Sequence, residues 1–392
     1  GALRHGRRWM QARRVRATKW YLPAGAQVIP QPVGVVGIIA PWNYPVFLSA
    51  GPLAGVLAAG NRVMLKLSEF TPAFSALFAR LVAGSFAQDE VAVIEGGPEV
   101  AAQFSALPFD HLLFTGSTAV GRKVMAAAAA NLTPVTLELG GKSPAVVAPG
   151  FPLERAVDRI LFGKLMNAGQ TCIAPDYVLL PQAEVQAFVA AARRRAAQMY
   201  PRGLEDHDYC SIVNARQFGR LAGYLDEARV AGTGIEVLFS QPLDAVRHRL
   251  APHLLVDPPD TLGVMREEIF GPLLPLVPYA SAEEAIAYIN ARPRPLAMYW
   301  FDNDRARITQ ALQATHAGGV TINDTLLHIA QEGLPFGGIG PSGIGHYHGR
   351  WGFDAFSKLK PVLRQPRLNA LGLFGAPYRP LAKQMLALMK RF

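Results

Sequence analysis

The chain has 392 residues, of which 50% are hydrophobic and 17% are charged. This composition excludes intrinsic disorder, and the length predicts more than one domain. The net charge of +10 is concentrated at the two ends: residues 1–19 carry seven basic residues and no acidic one, and residues 355–392 carry eight and none. The remainder is acidic on balance, so we expect no nucleic-acid partner.

The chain contains two cysteines, Cys172 and Cys210. With so few cysteines we expect no disulfide framework, and the natural compartment is the reducing cytoplasm. Two thiols cannot build a thiolate zinc site and the histidines form no HExxH pattern, so we expect no metal. No charged residue occurs from Trp20 to Asn61, but the prolines of this segment would break a membrane-spanning helix. We therefore predict no membrane span, and a buried helix that begins only at Pro52.

The first part of the chain alternates between short apolar runs and helical segments. A basic helical start is followed by an extended arm at about 20–32, and then by a buried strand in the run VGVVGIIA from Val33 to Ala40. Further predicted elements lie at 52–60, 62–67, 71–84, 91–95, 100–107, 111–115 and 117–130. This βαβ spacing predicts a doubly wound parallel sheet.

A second series of strands and helices begins near residue 135. Its predicted elements lie at 135–139, 144–148, 176–180, 183–200, 281–291, 297–301, 303–315 and 319–323. We therefore predict an α/β protein with one domain at 1–139, a second at 140–335, and a final segment, 336–392, that returns to the first domain. The pattern GxGxxG at 338–343 follows no predicted strand and opens no helix, so we do not interpret it as a dinucleotide fingerprint.

The segment NAGQTCIAP places Cys172 in a polar turn rather than in an apolar run. A lone cysteine is usually an inert structural residue, and a nucleophile is the alternative. A thiolate nucleophile needs an electrophilic carbon, an oxyanion donor and usually a base. The sequence contains a candidate for the base and a candidate for the oxyanion donor.

Glu138 lies in an apolar strand just before Gly140 and Gly141. It is either a carboxylate held in a salt bridge or a base whose pKa is raised by burial. Asn43 follows the first strand of the sheet, in PWNYP. It is either a turn residue or a donor to an oxyanion, because the carboxyl ends of strands hold ligands in open α/β sheets.

Six motifs, PWNYP, FTGSTAVG, LELGGK, GQTC, EEIFGP and PFGG, occur together at family spacing. On these motifs the chain resembles the aldehyde dehydrogenase superfamily. The segments NAGQTCIAPDY and NDTLLHIAQEGLPFGGIGPSGIGHYHG look like its class 3 branch and, within it, the bacterial coniferyl-aldehyde dehydrogenases. The resemblance covers the chain from about residue 1 to the tail. It implies a Rossmann-like NAD(P)-binding domain at 1–139, a second α/β catalytic domain at 140–335, and a small oligomerisation arm and tail.

The resemblance also implies a role for each matching residue. Cys172 would be the nucleophile, Glu138 the general base, and Asn43 with the Cys172 backbone N–H the oxyanion hole. The implied cofactor residues are Lys66 and Glu69 at the adenosine ribose, Gly116 and Ser117 at the pyrophosphate, and Glu268 and Phe270 at the nicotinamide. The implied residues of the substrate pocket are Tyr44, Met166 and Thr171.

The activity implied by the resemblance is NAD-dependent oxidation of an aldehyde, with NADP possible as the cofactor. The substrate would be aromatic, such as coniferyl aldehyde, and the enzyme a homodimer. Two alternatives stay open: an enzyme that passes its thioester to coenzyme A, and a catalytically silent NAD-binding homologue. Relatives normally carry several dozen residues ahead of the position of Gly1, and they have KPSE where this chain has KLSE at residues 66–69.

Overall fold

A computed structural model describes residues 2–18, 21–367, 369 and 376–390. The helices are α1 (Ala2–Trp9), α2 (Pro45–Ala58), α3 (Pro72–Ala83), α4 (Pro98–Ser105), α5 (Thr118–Ala129), α6 (Leu153–Leu165), α7 (Val185–Met199), α8 (Ala215–Val230), α9 (Gly263–Arg266), α10 (Ala282–Asn290), α11 (Arg305–Ala314), α12 (Gly349–Ala355) and α13 (Pro380–Met389). The strands are β1 (Arg13–Val15), β2 (Gly25–Pro32), β3 (Val35–Ile39), β4 (Arg62–Lys66), β5 (Val91–Ile94), β6 (His111–Thr115), β7 (Val135–Glu138), β8 (Pro144–Val147), β9 (Tyr177–Pro181), β10 (Gly234–Val237), β11 (Leu243–Asp244), β12 (Arg249–Leu250), β13 (His253–Val256), β14 (Leu273–Tyr279), β15 (Ala297–Phe301), β16 (Gly319–Ile322), β17 (Gly343–Ile344) and β18 (Ser357–Arg364).

The first sheet has the strand order β17-β7-β6-β3-β4-β5. Strands β3 to β7 run parallel, and β17 pairs with β7 in the antiparallel direction. Buried aliphatic side chains fill its centre because β-branched and leucine-rich runs suit a strand covered on both faces. Examples are Val36, Ile38, Leu65 and Leu113. Four of the sequence motifs lie at the carboxyl ends of its strands: PWNYP at β3, KLSE at β4, FTGSTAVG at β6 and LELGGK at β7.

The second sheet has seven strands in the order β10-β13-β14-β9-β8-β15-β16. All of its pairs are parallel except that of β10 with β13. Its strand β15 is completely buried. The chain leaves the first sheet at Glu138 and enters the second at Pro144. The predicted α/β class with parallel sheets is confirmed, whereas the division into domains at 139/140 and 335/336 stays a prediction.

The third sheet joins the beginning of the chain to its end. Strand β2 pairs with β18 along the full length of both strands, and β1 pairs with the other edge of β2. The predicted arm at about 20–32 is therefore a strand of a three-stranded sheet; residue 20 lies outside the described residues. The predicted oligomerisation tail contributes β18 and α13. Its residues 368, 370–375, 391 and 392 also lie outside the described part.

The prediction that the second helix begins at Pro52 is wrong. Helix α2 begins at Pro45, and Pro52 lies in its interior. A proline there removes the hydrogen bond to the carbonyl of Leu48 four residues earlier. The helix continues because Leu48, Leu53 and Val56 are buried in the core, and that burial offsets the missing bond.

Candidate active site

A strained turn carries the cysteine motif. Helix α6 ends at Leu165, and the next residues include three with left-handed backbone: Asn167 (φ 52°), Ala168 (φ 51°) and Gly169 (φ 78°). Such angles are unfavourable for Asn and Ala and persist only where surrounding contacts impose them. A Cβ at Gly169 would overlap with the carbonyl of Gly271. The turn is therefore packed directly against the end of the EEIFGP motif.

The side chain of Gln170 fixes the turn in place. Its Nε2 donates to the carbonyls of Asn167 and Ser211, both at 3.0 Å, and its Oε1 accepts from the Val213 N–H at 2.9 Å. Its backbone carbonyl accepts from Asn43 Nδ2 at 3.0 Å. A fully hydrogen-bonded amide of this kind holds a loop in one geometry.

The PWNYP and GQTC segments are held together by side chains from both. Asn167 Nδ2 donates to the Asn43 carbonyl at 3.0 Å. The hydroxyls of Tyr44 and Thr171 share a hydrogen bond of 2.7 Å. Asn43, Tyr44 and Thr171 thus lie in one assembly with Cys172, while Met166 lies at the exit of α6 with 37% of its surface exposed. The Asn43 amide has a second N–H group that is available to a further acceptor.

Residue Cys172 as a whole is half-buried. Burial raises its pKa well above the usual range, and the charges of Glu138 and Glu268 raise the pKa further. The nearby backbone N–H groups of Cys172 and Ile173 act in the opposite direction and lower the pKa. The neutral thiol therefore predominates at neutral pH, and it has to lose a proton before it can act as a nucleophile.

Glu138 is the last residue of β7 and is 2% exposed. Among the residues that the structure describes, neither of its carboxylate oxygens has a hydrogen-bond partner. The salt-bridge alternative is therefore not observed. Burial raises the pKa of Glu138 well above its usual value. A carboxyl group of this kind, close enough to the thiol to affect its pKa, is suited to exchange protons with it or with water.

The GxGxxG segment borders the strand that carries Glu138. Gly343 pairs with Glu138 in the ladder between β17 and β7, and the Leu139 N–H donates to the Ser342 carbonyl at 3.1 Å. A Cβ at Gly343 would overlap with the carbonyl of Leu137. The glycines of this segment therefore permit close approach of two backbones, and the segment forms neither the strand exit nor the helix start of a dinucleotide fingerprint.

The predicted adenosine-ribose residues lie beside a cavity. Lys66 is buried, and its Nζ lies 3.5 Å from Glu69 Oε2. A cavity of about 260 Å³ opens at the carboxyl ends of β4 and β5. The polar and glycine residues of its lining are Ser68, Glu69, Ser75, Glu95, Gly96 and Gly97. Sequence reasoning missed Glu95, Gly96 and Gly97, although a glycine pair directly after a parallel strand is a usable signal of a ligand site.

The predicted pyrophosphate residues lie just after the carboxyl end of β6, and the predicted nicotinamide residues lie in the loop before β14. Ser117 caps helix α5 and accepts from the Val120 N–H at 3.4 Å, and the Gly116 N–H donates to the Glu138 carbonyl at 3.0 Å. Glu268 Oε1 is buried without a partner among the described residues. Phe270 has a left-handed φ of 49° and packs edge-on against Trp42, with ring centroids 5.4 Å apart.

These residues fit a dinucleotide. The cavity at β4 and β5 offers carboxylates to ribose hydroxyls, and the N-terminus of α5 offers unpaired N–H groups to phosphate. The unpartnered Glu268 Oε1 can accept hydrogen bonds from a second ribose. A bound dinucleotide would therefore give hydrogen-bond partners to polar groups that have none within the described ranges.

Two further buried groups near the site were not found from the sequence. The Tyr347 hydroxyl has no partner in the described part of the chain, and burial followed by the charges of Glu138 and Cys172 raises its pKa well above the usual value. Lys164, in the last turn of α6, is 1% exposed and its Nζ has no partner within the described ranges. Neither residue lies in a short motif that indicates a role at the site, because only the packing of distant segments brings the two residues there.

The described residues contain no group of three or more His, Cys, Asp or Glu side chains that could hold a metal ion. None of the helices in residues 2–18, 21–367 and 376–390 has the length and apolar character needed to cross a membrane.

The fold and the site are those of an oxidoreductase that uses a dinucleotide. The chain belongs to the aldehyde dehydrogenase family, whose model matches residues 7–362. A protein of Pseudomonas aeruginosa named "Probable coniferyl aldehyde dehydrogenase" is 54% identical to it over 96% of this chain and 79% of the relative. The coniferyl aldehyde dehydrogenase of Pseudomonas sp. strain HR199 is 47% identical over 98% of this chain and 80% of the relative.

Solved structures show the same relationship. The substrate-bound structure of Staphylococcus aureus AldH is 38% identical, with a TM-score of 0.93 over 99% of this chain and 84% of that chain. Mycobacterium tuberculosis aldehyde dehydrogenase, solved with NAD+, is 29% identical, with a TM-score of 0.82 over 93% of this chain and 76% of that chain. The predicted family, fold, enzyme class and use of NAD(P) are thereby confirmed.

Proposed function

We propose that the protein oxidises an aromatic aldehyde, of the coniferyl aldehyde type, to the carboxylic acid with NAD as the preferred cofactor. The observation that carries the proposal is the position of Cys172. The Asn43–Gln170 contact holds its turn, and the buried Glu138 carboxyl, which has no hydrogen-bond partner among the described residues, lies close enough to raise the pKa of the thiol. The similarity to two relatives named for coniferyl aldehyde supports the choice of substrate.

The first step is addition of the thiol to the aldehyde. Glu138 takes the proton of Cys172, and the sulfur forms a bond to the carbonyl carbon while the π electron pair moves to oxygen. The second N–H of the Asn43 amide and the backbone N–H of Cys172 donate to that oxygen, which stabilises its negative charge. The product is a thiohemiacetal anion attached to Cys172.

The second step is oxidation of the adduct and release of the acid. Bound NAD(P) supplies the acceptor for the hydride that leaves the carbon, so the carbonyl re-forms as a thioester on Cys172. Glu138 releases to solvent the proton that it took from Cys172. The regenerated carboxylate then takes a proton from a water molecule, whose oxygen adds to the thioester carbon. The carbon–sulfur bond breaks, the sulfur leaves as the thiolate, and the carboxylate departs.

The coenzyme A alternative has no support from the relatives to which the chain is similar. An enzyme that passes its thioester to coenzyme A needs no base to activate water. Glu138 is buried close enough to the thiol to affect its pKa, and its carboxylate has no hydrogen-bond partner among the described residues. The alternative of a catalytically silent homologue likewise does not explain why Glu138 is buried or why the turn at Cys172 is fixed by hydrogen bonds.

A run of aromatic rings supports an aromatic substrate. The Tyr347 ring, which lies near the thiol, has its centroid 4.4 Å from that of His348. The His348 ring in turn lies 5.7 Å from Phe47, edge to face, and Phe47 is 49% exposed. Planar rings along such a path can stack on the ring of a substrate. We propose that this run, together with Tyr44, Met166 and Thr171, lines the substrate pocket.

The substrate proposal is tested by measuring NADH formation with cinnamaldehyde-type, benzaldehyde-type and long-chain aliphatic aldehydes. We expect the highest kcat/KM with the cinnamaldehyde-type substrates, because they offer a ring for stacking and an extended aldehyde arm that can reach the thiol. A higher kcat/KM for the aliphatic series would overturn the assignment of the substrate while leaving the reaction type intact.

We expect NAD to give a higher kcat/KM than NADP. A carboxylate at Glu69 accepts hydrogen bonds from a ribose 2′-hydroxyl and repels a 2′-phosphate, and the neighbouring Lys66 offsets part of that repulsion. Glu69→Gln should move the ratio of kcat/KM values toward NADP by about tenfold, which corresponds to ~1.4 kcal/mol. The exposed Glu99→Gln serves as the matched control and should leave the ratio unchanged. Strict NADP preference in the wild type would contradict this placement of Glu69.

We also propose a homodimer in the cytoplasm. Strand β18 presents exposed apolar side chains, including Leu359 and Leu363, on a sheet whose outer edge is unpaired in the described part of the chain. Such edges are sites of association between chains. Light scattering should give a mass near twice 42.3 kDa, and Leu363→Lys should lower it. The exposed Leu312→Lys on α11 is the control, and a monomeric wild type at micromolar concentration would refute the dimer.

A further inference from the structure

A buried ion pair lies between the segments that carry the base and the nucleophile. Lys142 ends the LELGGK motif that contains Glu138, and Asp176 lies four residues after Cys172. The Lys142 ammonium contacts the Asp176 carboxylate, and the two side chains are 10% and 4% exposed. The backbones of the two segments are also joined, because the Asp176 N–H donates to the Ser143 carbonyl at 2.8 Å. The reaction described above gives this ion pair no role.

The ion pair reaches a third segment, the loop that carries the EEIFGP motif. Besides the carboxylate of Asp176, the Lys142 ammonium donates to the carbonyls of Val264 at 2.8 Å and of Glu267 at 3.1 Å. The other carboxylate oxygen of Asp176 accepts from the Ile269 N–H at 3.0 Å. An ammonium group has three hydrogens, so each of them has an acceptor here. A buried polar network whose members all have partners is rigid.

The network holds the backbone on both sides of Glu268. The carbonyl before this residue accepts from Lys142, and the N–H after it donates to Asp176. Arg220, on α8, holds the same stretch as well, because it donates to the Glu268 carbonyl at 3.3 Å and to the Ile269 carbonyl at 2.7 Å. The Glu268 Oε1, in contrast, is buried and has no hydrogen-bond partner among the described residues. A fixed backbone therefore presents a free carboxyl oxygen.

We propose that the Lys142–Asp176 ion pair is a positioning device for the nicotinamide end of the cofactor. It fixes the backbone of residues 264–269, so that Glu268 and Phe270 meet the cofactor in one geometry. The left-handed φ of 49° at Phe270 supports the inference, because such a backbone persists only where surrounding contacts impose it. The inference rests on the proposed function and on the assignment of these two residues to the nicotinamide.

The consequence of this positioning is confined to hydride transfer. Transfer between two carbon atoms requires a close and aligned approach, and a displacement of about 1 Å can slow such a step by about 10²-fold. Hydrolysis of an activated ester needs Cys172, Asn43 and Glu138, because the thiol displaces the leaving alcohol and water then hydrolyses the thioester. It needs no hydride acceptor. Hydrolysis of p-nitrophenyl acetate without NAD therefore measures the same site with the cofactor left out.

The test uses the double variant Lys142→Met with Asp176→Asn, which leaves no buried charge without its partner. The variant loses the donors to the Val264 and Glu267 carbonyls. We expect oxidation of benzaldehyde with NAD to be slowed by about 10- to 100-fold. The primary isotope effect with deuterium on the aldehyde carbon should increase, because hydride transfer becomes the slowest step. Hydrolysis of p-nitrophenyl acetate should stay close to the wild-type rate.

A second measurement reports on the loop without any cofactor. Amide hydrogen exchange, followed by mass spectrometry of proteolytic fragments of the whole protein, should become faster across residues 264–270 in the double variant. Exchange in strand β15 should be unchanged, since that strand is completely buried and lies outside the loop that the ion pair holds.

Two variants serve as controls. Lys142→Arg keeps the cation and its donors and should recover most of the oxidation rate. Arg193→Met removes an exposed ion pair with Glu236, between α7 and β10, and should change neither the isotope effect nor the exchange of the loop. If the double variant does not fold, Lys142→Gln with Asp176→Asn takes its place. Its amide can still donate to one carbonyl, and we expect the same pattern with a smaller loss.

The outcomes separate this inference from the proposed function. Loss of ester hydrolysis in parallel with oxidation would show that the ion pair supports the whole site, and it would overturn the inference. An unchanged isotope effect, or unchanged exchange across residues 264–270, would overturn it too. A wild type that hydrolysed the ester but oxidised no aldehyde with NAD or NADP would refute the proposed function itself.

Discussion

Replacement of Cys172 by alanine is expected to reduce acid formation by more than about 10⁴-fold, because the reaction then lacks the atom that forms the covalent adduct. Binding of NAD should remain measurable, since Lys66, Glu69 and Glu268 are untouched. The measurement combines steady-state NADH formation with titration of NAD by fluorescence.

Cys210→Ala is the matched control for that experiment. Cys210 is exposed, and the neighbouring contact to the cysteine turn is made by the carbonyl of Ser211, which the substitution leaves in place. Its activity should therefore stay close to that of the wild type. An essential Cys210 together with a dispensable Cys172 would refute the mechanism.

Glu138→Gln is expected to slow hydrolysis of the thioester by about 10²–10⁴-fold, because glutamine cannot accept a proton from water. Hydride transfer should be slowed less, since it depends mainly on the Cys172 thiolate, the Asn43 amide and the position of the cofactor. The variant should therefore release a burst of NADH and accumulate acyl-enzyme. Rapid-mixing absorbance of NADH and mass spectrometry of the quenched protein measure the two quantities.

The pH dependence of hydrolysis provides a second readout of Glu138. Burial raises its pKa, so the carboxyl group is protonated and inactive as a base at low pH. Hydrolysis in the wild type should speed up as pH rises through that raised pKa, and the variant should lose this rise. Turnover at the wild-type rate would mean that Glu138 is only structural. Loss of hydride transfer without acyl-enzyme would mean that it acts mainly on the thiol.

The buried parallel strands are the part of the fold that could be predicted best. The strands His111–Thr115 and Ala297–Phe301 have the predicted bounds, because continuous apolar runs bounded by turn residues are a strong signal. Strand β14 was not assigned from the sequence, since Pro275 and Pro278 interrupt it and prolines usually mark turns. Its burial between β13 and β9 outweighs that local preference.

The missed helices show what local signals can and cannot provide. Helix α8 has a usable start signal, because the Asn214 side chain accepts from the Gln217 N–H at 3.0 Å. Helix α6 begins after Pro152 without a side-chain cap, so its start has no such mark. The motif residues of the candidate site could be predicted because each lies in a short recognisable segment. The turn at Asn167, Ala168 and Gly169 could not, since its backbone angles are imposed by distant contacts.

The pairing of the last strands with the first ones has a consequence for folding. Strand β17 covers the edge of β7, and β18 pairs with β2, so residues separated by most of the chain complete two of the sheets. Contacts between such distant residues slow folding, because a long loop has to close before they form. During synthesis the edges of β2 and β7 stay open until the residues of β17 and β18 have left the ribosome. Open strand edges promote aggregation, so the nascent chain is most vulnerable in the interval in which the second sheet is being made.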